Sequence, residues 1–168
     1  MSLRRRFSTK PPHDRYAIFL DRDLDSPKFI REIVHLGVSI ERAGVHFPDT
    51  RTSEPVWLPV VGARGWLAFT RDKKILRVDV ERDAAMRAGV PLFILVGNLT
   101  HPQMAMNLAA TWGKIQSFRD RFHPPFIATV HRPDNGEIGV NRGRVKMELT
   151  ERGWEELVEE RRRASRRR

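Results

Sequence analysis

Cysteine is missing from all 168 residues, and that absence removes a disulfide framework, a thiolate zinc site and a cysteine nucleophile together. A reducing compartment is permitted. No apolar run approaches the ~20 residues needed to cross a bilayer, and the N-terminal MSLRRRFSTKPPHD has cations with no apolar segment behind them. The expectation is a soluble, cytoplasmic protein without a membrane partner. HExxH, P-loop, GxGxxG and GxSxG strings do not occur, so a zinc protease, a nucleotide-cofactor enzyme and a serine hydrolase lack support.

Acids are absent from both ends, and this locates the formal charge of +10. Residues 1–10 hold four cations and residues 161–168 hold six, whereas residues 11–160 balance 21 Lys and Arg with 21 Asp and Glu. Basic arms of this kind collect phosphate by counterion release, or they simply solubilise the chain. The length fits one domain with a substantial core. The expected division is a basic arm over 1–15, a domain over 16–150, and a C-terminal helix with an arginine-rich tail over 151–168.

Apolar runs at YAIFL (16–20), VSI (38–40), WLAFT (66–70), PLFILV (91–96) and FIATV (126–130) predict strands. Between them, Ser26 and Pro27 open a helix that Gly37 stops, and a second helix runs from Glu54 to Arg64 with a kink at Pro59. Residues 78–89 form a short helix, and Asn98 or Thr100 caps a long one over about 102–122. Extended pieces near 138–140 and 145–149 and a polar terminal helix complete the chain. Strands alternating with helices argue for an α/β domain with a mainly parallel sheet. Parallel strands joined by right-handed crossovers present their C-terminal ends along one edge, where ligands of open sheets bind.

Two strands end alike: IFLDRD places Asp21 and Asp23 beyond one, and AFTRDKK places Asp72 beyond another. Glu54, opening the intervening helix, can face the same rim. Converging carboxylates repel one another, and a hard divalent cation, Mg²⁺ or Mn²⁺, offsets that repulsion. Each acid also has a plainer role as a turn residue, a helix-dipole partner or half of an ion pair with Arg22, Arg71 or Lys73. Thr70, Arg71, Lys73 and Arg22 are the candidates for phosphate contacts, with ordinary surface charge as the alternative.

The succession IFLDRDL, TRTSEPVWL, RGWLAFTRDKKI, VPLFILVGNLT and HPPFIATV resembles the PIN-like domains, in particular the VapC-type toxin ribonucleases of toxin–antitoxin pairs, over about residues 16–132. The resemblance implies a three-layer α/β/α sandwich that gathers acids around Mg²⁺ or Mn²⁺ and cuts RNA. By position it implies Asp21 as the first acid, Glu54 as the second and Asp72 as the strand-end acid. It also implies a cognate antitoxin and a homodimer. Glu54 stands where some relatives have Asp, and Pro55 and Pro59 follow it. The fourth acid is open: Asp23 ranks first for its proximity to Asp21, then Glu81, with Asp79 and Asp49 behind. The competing functional reading is a non-catalytic PIN-like module that binds RNA or a partner, and a DNA-directed nuclease is a third.

Overall fold

The computed structural model describes residues 16–49 and 54–168. The expected N-terminal arm therefore lies outside the described residues. Six strands form one sheet in the order β2-β1-β3-β4-β5-β6. They are β1 (Ile18–Leu20), β2 (Ile40–Arg42), β3 (Leu67–Thr70), β4 (Pro91–Leu95), β5 (Phe126–His131) and β6 (Arg144–Thr150). The first five are mutually parallel and β6 runs antiparallel along β5. Among the described residues no helix is long and apolar enough to cross a membrane.

Among the described residues six α-helices complete the fold: α1 (Pro27–Ile33), α2 (Ala43–His46), α3 (Glu54–Arg64), α4 (Asp79–Arg87), α5 (His101–Arg121) and α6 (Glu151–Arg166). Their starts are set locally. Ser26 accepts a hydrogen bond from the Phe29 N–H with Pro27 at the first position, and Thr100 and Gln103 form a reciprocal capping box on α5. β2 begins two residues later than VSI suggests, because Val38 turns into the core after Gly37 adopts a left-handed φ of 68°. Pro59 does not divide α3. Its lost hydrogen bond costs about 3 kcal/mol, whereas burying Trp57, Leu58 and Val61 beneath the sheet contributes ~1.5–3 kcal/mol each. Gly62 lets α3 approach α4, since a Cβ there would lie 1.9 Å from the Ala88 carbonyl oxygen.

Alternation along the strands divides the core between two faces. Ile18, Leu20, Phe69, Phe93 and Ala128 pack under α1 and α5, and Phe19, Ala68, Leu92, Ile94 and Ile127 pack under α3 and α4 with Trp154 of α6 at the margin. The result is the expected three-layer sandwich. One crossover departs from expectation. The β4–α5–β5 unit moves along the sheet in the same direction as β3–α4–β4 but lies on the opposite face, so its hand is opposite. On that face α5 packs against α1, while the other face is filled by α3, α4 and α6. The common edge of the parallel strands survives this change, because it depends on strand direction and not on which face the helix takes.

Candidate active site

The strand order reverses between β1 and β3: the chain leaves β1 for β2 on one side and returns to β3 on the other. Crevices beyond the C-terminal ends of strands at such a switch point are the usual ligand sites of open α/β sheets. Register then fixes what meets there. Leu20 pairs with Phe69, and the Asp21 N–H donates to the Phe69 carbonyl at 3.0 Å, so Asp21 emerges beside Thr70.

Thr70, 3% exposed, ties the two strand ends together. Its hydroxyl donates to Asp21 Oδ2 at 2.9 Å and accepts from the Asp72 N–H at 3.1 Å. The other Asp21 oxygen accepts from the Arg22 N–H at 2.6 Å. Asp72 Oδ1 accepts from the Lys74 N–H at 2.9 Å and caps the single 3₁₀ turn Lys73–Leu76. That turn leads into α4, whose first turn carries Glu81. Asp21, Thr70, Asp72 and Glu81 line one small depression with Trp57 and Ile75.

The remaining candidates lie elsewhere. Asp23 is exposed and does not line the depression. Glu54 opens α3, and its side chain lies outside the described residues. Arg22 turns its guanidinium toward loop backbone, donating to the carbonyls of Phe47 and Asp49 at 2.7 and 2.9 Å. Arg71 is exposed and shares a 2.8 Å hydrogen bond with the His101 ring at the start of α5, and Lys73 is exposed. Asp79 pairs with Arg82 and with Arg161, the latter at 3.2 Å, in the contact between α4 and α6. Asp49 is exposed in the loop before α3.

The donor set determines which ion could be held. Three carboxylates around one depression are hard oxygen donors, with neither imidazole nor thiolate among its lining residues. Among the described residues no three His, Asp or Glu side chains close into a ligand cage. Mg²⁺ takes one or two carboxylates and retains several waters, so an open carboxylate pair fits it; structural zinc requires a closed set.

Sequence reasoning missed Asp83. It is buried at the α4–α6 contact, where Trp154 Nε1 donates to Oδ1 at 2.8 Å and Arg161 bridges both oxygens at 2.9 Å. Burial pushes its pKa up, but the hydrogen bonds from Trp154 and Arg161 and the charges of Arg161 and Arg87 outweigh that effect and hold it below the usual carboxylate range. The spacing does carry a signal: Asp79 and Asp83 share a helix face, as do Trp154 and Arg161. The first arginine of the expected tail is thus part of a docked helix that continues to Arg166.

Comparison with known proteins agrees with the resemblance. Residues 17–97 match the model of a family described as "PIN like domain". Over 118 residues, 68% of this chain and 85% of the relative, the sequence is 29% identical to the Mycobacterium tuberculosis protein named "Putative ribonuclease VapC45". No solved structure matches the chain. The switch-point acids Asp21 and Asp72 lie inside the residues matched to the PIN-like model, and the sandwich, the family match and the relative together support a PIN-domain, VapC-like reading of the chain.

Proposed function

We propose that this chain is a metal-dependent endoribonuclease of the VapC type, the toxin of a toxin–antitoxin pair, acting on RNA in the cytoplasm. The observation that carries the reading is the Asp21–Thr70–Asp72 bridge at the switch point, within the residues matched to the PIN-like family. Asp21 and Asp72 would hold Mg²⁺ or Mn²⁺, with Glu81 beside them; Glu54, the second acid implied by the family resemblance, opens α3. The bound ion supplies polarisation of the scissile phosphate and a lowered pKa for an attacking water. Thr70 orients the Asp21 carboxylate and fixes the backbone amide of Asp72. Trp57 and Ile75 form the apolar wall of the depression and limit water on that side. Arg71, paired with His101 at the N-terminus of α5, is positioned to meet phosphate at the same strand edge. Lys73 adds an exposed cation there.

An antitoxin would occupy this acidic rim, and a homodimer accords with the family. The domain proper spans residues 16–150, with α6 docked onto α4 as an appendage. Purified protein should cut RNA with Mg²⁺ or Mn²⁺ and stop when either ion is chelated. Asp21→Asn and Asp72→Asn should each abolish cleavage while leaving the circular dichroism spectrum unchanged. Undiminished cleavage by both variants would remove the assignment.

A further inference from the structure

A second concavity shares no lining residue with the acidic depression. It is a groove of about 700 Å³ between the C-terminal half of α5 and β6. Lys114, Arg121, Arg142 and Arg144 line it, with no acid, over an apolar floor that includes Phe118 and Phe122. The two rings are half-buried with centroids 4.6 Å apart, and the Arg121 guanidinium lies 5.2 Å from the Phe122 centroid. One wall is held rigidly. Lys114 Nζ donates to the Gly143 carbonyl at 2.9 Å, and the Gly143 N–H donates to Thr111 Oγ1 at 2.8 Å. A Cβ on Gly143 would lie 2.1 Å from the His131 carbonyl oxygen, so the chain entering β6 has no slack.

We propose that this groove is a second binding site for single-stranded RNA, engaging phosphates through its cations and bases through Phe118 and Phe122, and that it feeds the strand toward the acidic depression. The proposal rests on the ribonuclease reading for its substrate but not for its geometry. Cations beside half-exposed aromatic faces are the combination that holds single strands without regard to sequence. An acidic peptide added as a strand would use the outer backbone of β6, whereas this groove lies on the sheet's α5 face, over Val145 and Met147. The placement also suits a continuous strand. Arg144 pairs with His131 at the C-terminal end of β5, so the groove opens toward the edge that carries Asp21 and Asp72. From β3 to β6 is three inter-strand steps, about 14 Å.

The test is fluorescence anisotropy of the full chain with labelled single-stranded RNA in EDTA, across a salt titration. Arg121, Arg142 and Arg144 are exposed, so their removal spares the core, and thermal melts check this. If each contacts one phosphate, Arg121→Ala/Arg142→Ala/Arg144→Ala reduces the log–log salt slope by about 2 and weakens binding on the order of 100-fold at ~0.1 M salt. Arg162→Ala/Arg166→Ala/Arg167→Ala removes the same charge from the end of the chain and should leave most of the affinity. Wild-type affinity and slope in the groove variant would overturn the proposal. Equal losses in the two triple variants would reduce the effect to bulk charge and overturn it as well. Competition by polyglutamate as effective as that by unlabelled RNA would assign the groove to an acidic protein instead. Cleavage assayed separately with Mg²⁺ or Mn²⁺ distinguishes the two readings: groove-dependent binding without cleavage removes only the nuclease, and cleavage indifferent to the groove removes only this site.

Discussion

Thr70→Val is the substitution that most directly tests the construction of the site. Valine keeps the β-branched shape and fills the same buried volume, but it lacks the hydroxyl that donates to Asp21 Oδ2 and accepts from the Asp72 N–H. A hydrogen bond to a charged partner contributes ~1.5–3 kcal/mol and one to a neutral backbone amide ~0.5–1.5 kcal/mol. Partial rehydration at the rim offsets some of that loss, so the expected cost is about 2–3 kcal/mol. For a chain of this size that corresponds to a fall of about 4–12 °C in Tm. Thr70→Ser, which retains the hydroxyl, should recover most of it. Stability alone would not show that the bridge serves the site. The second readout is the Mg²⁺ or Mn²⁺ concentration that supports half-maximal RNA cleavage, which Thr70→Val should raise and Thr70→Ser should largely restore. A valine variant that melts with the wild type and needs no more metal would refute the claim that Thr70 organises the two acids.

Asp83→Asn should lower Tm by a few degrees at neutral pH, because asparagine can still accept from Trp154 but loses the charge opposite Arg161. Since the folded pKa of Asp83 lies below its unfolded value of about 3.9, the contribution is complete above about pH 4 and is lost as pH falls through the lowered folded value. The wild type and Asp83→Asn should therefore converge in stability on acidification, and a constant difference down to low pH would contradict the pairing. The fourth acid is separable by activity: Glu81→Gln should reduce cleavage tenfold or more, while Asp23→Asn, on an exposed side chain, should remain within about twofold of wild type, the usual scale of a surface change. The reverse ranking would return the role to Asp23.

Much of the fold was legible because its signals are local. Four of the five parallel strands are short apolar runs ended by a polar or turn residue, and α1, α5 and α6 carry their own capping residues. The boundaries shifted where tertiary contact decided them, as at Val38, which is drawn into the core before β2 begins. The face chosen by α5 was not legible. Periodicity shows that a helix has an apolar side but not which side of the sheet it will cover, and no single hand fits both this crossover and β3–α4–β4. The docking of α6 was hidden for a different reason: Asp83 and Arg161 are 78 residues apart, and each reads in sequence as one charge in an ordinary polar helix.

The acids divide along the same line. That Asp21 and Asp72 share an edge was legible because each lies within two residues of the end of a buried strand, and parallel pairing carries both strand ends to one side. Asp23 looked equally close in sequence, but the chain turns beneath Asp21. The N–H groups of Leu24 and Asp25 fold back onto the Asp21 carbonyl at 2.9 and 3.0 Å, and this tight turn leaves the Asp23 side chain exposed. Glu81, nine residues beyond Asp72, is brought in by the intervening backbone. By accepting from the Lys74 N–H, Asp72 caps the 3₁₀ turn that precedes α4. The phase of that turn determines which residue in the first turn of α4 faces the depression. One acid lining the depression thus helps to set the position of another, and proximity along the chain is a poor guide wherever a capped turn lies between two candidates.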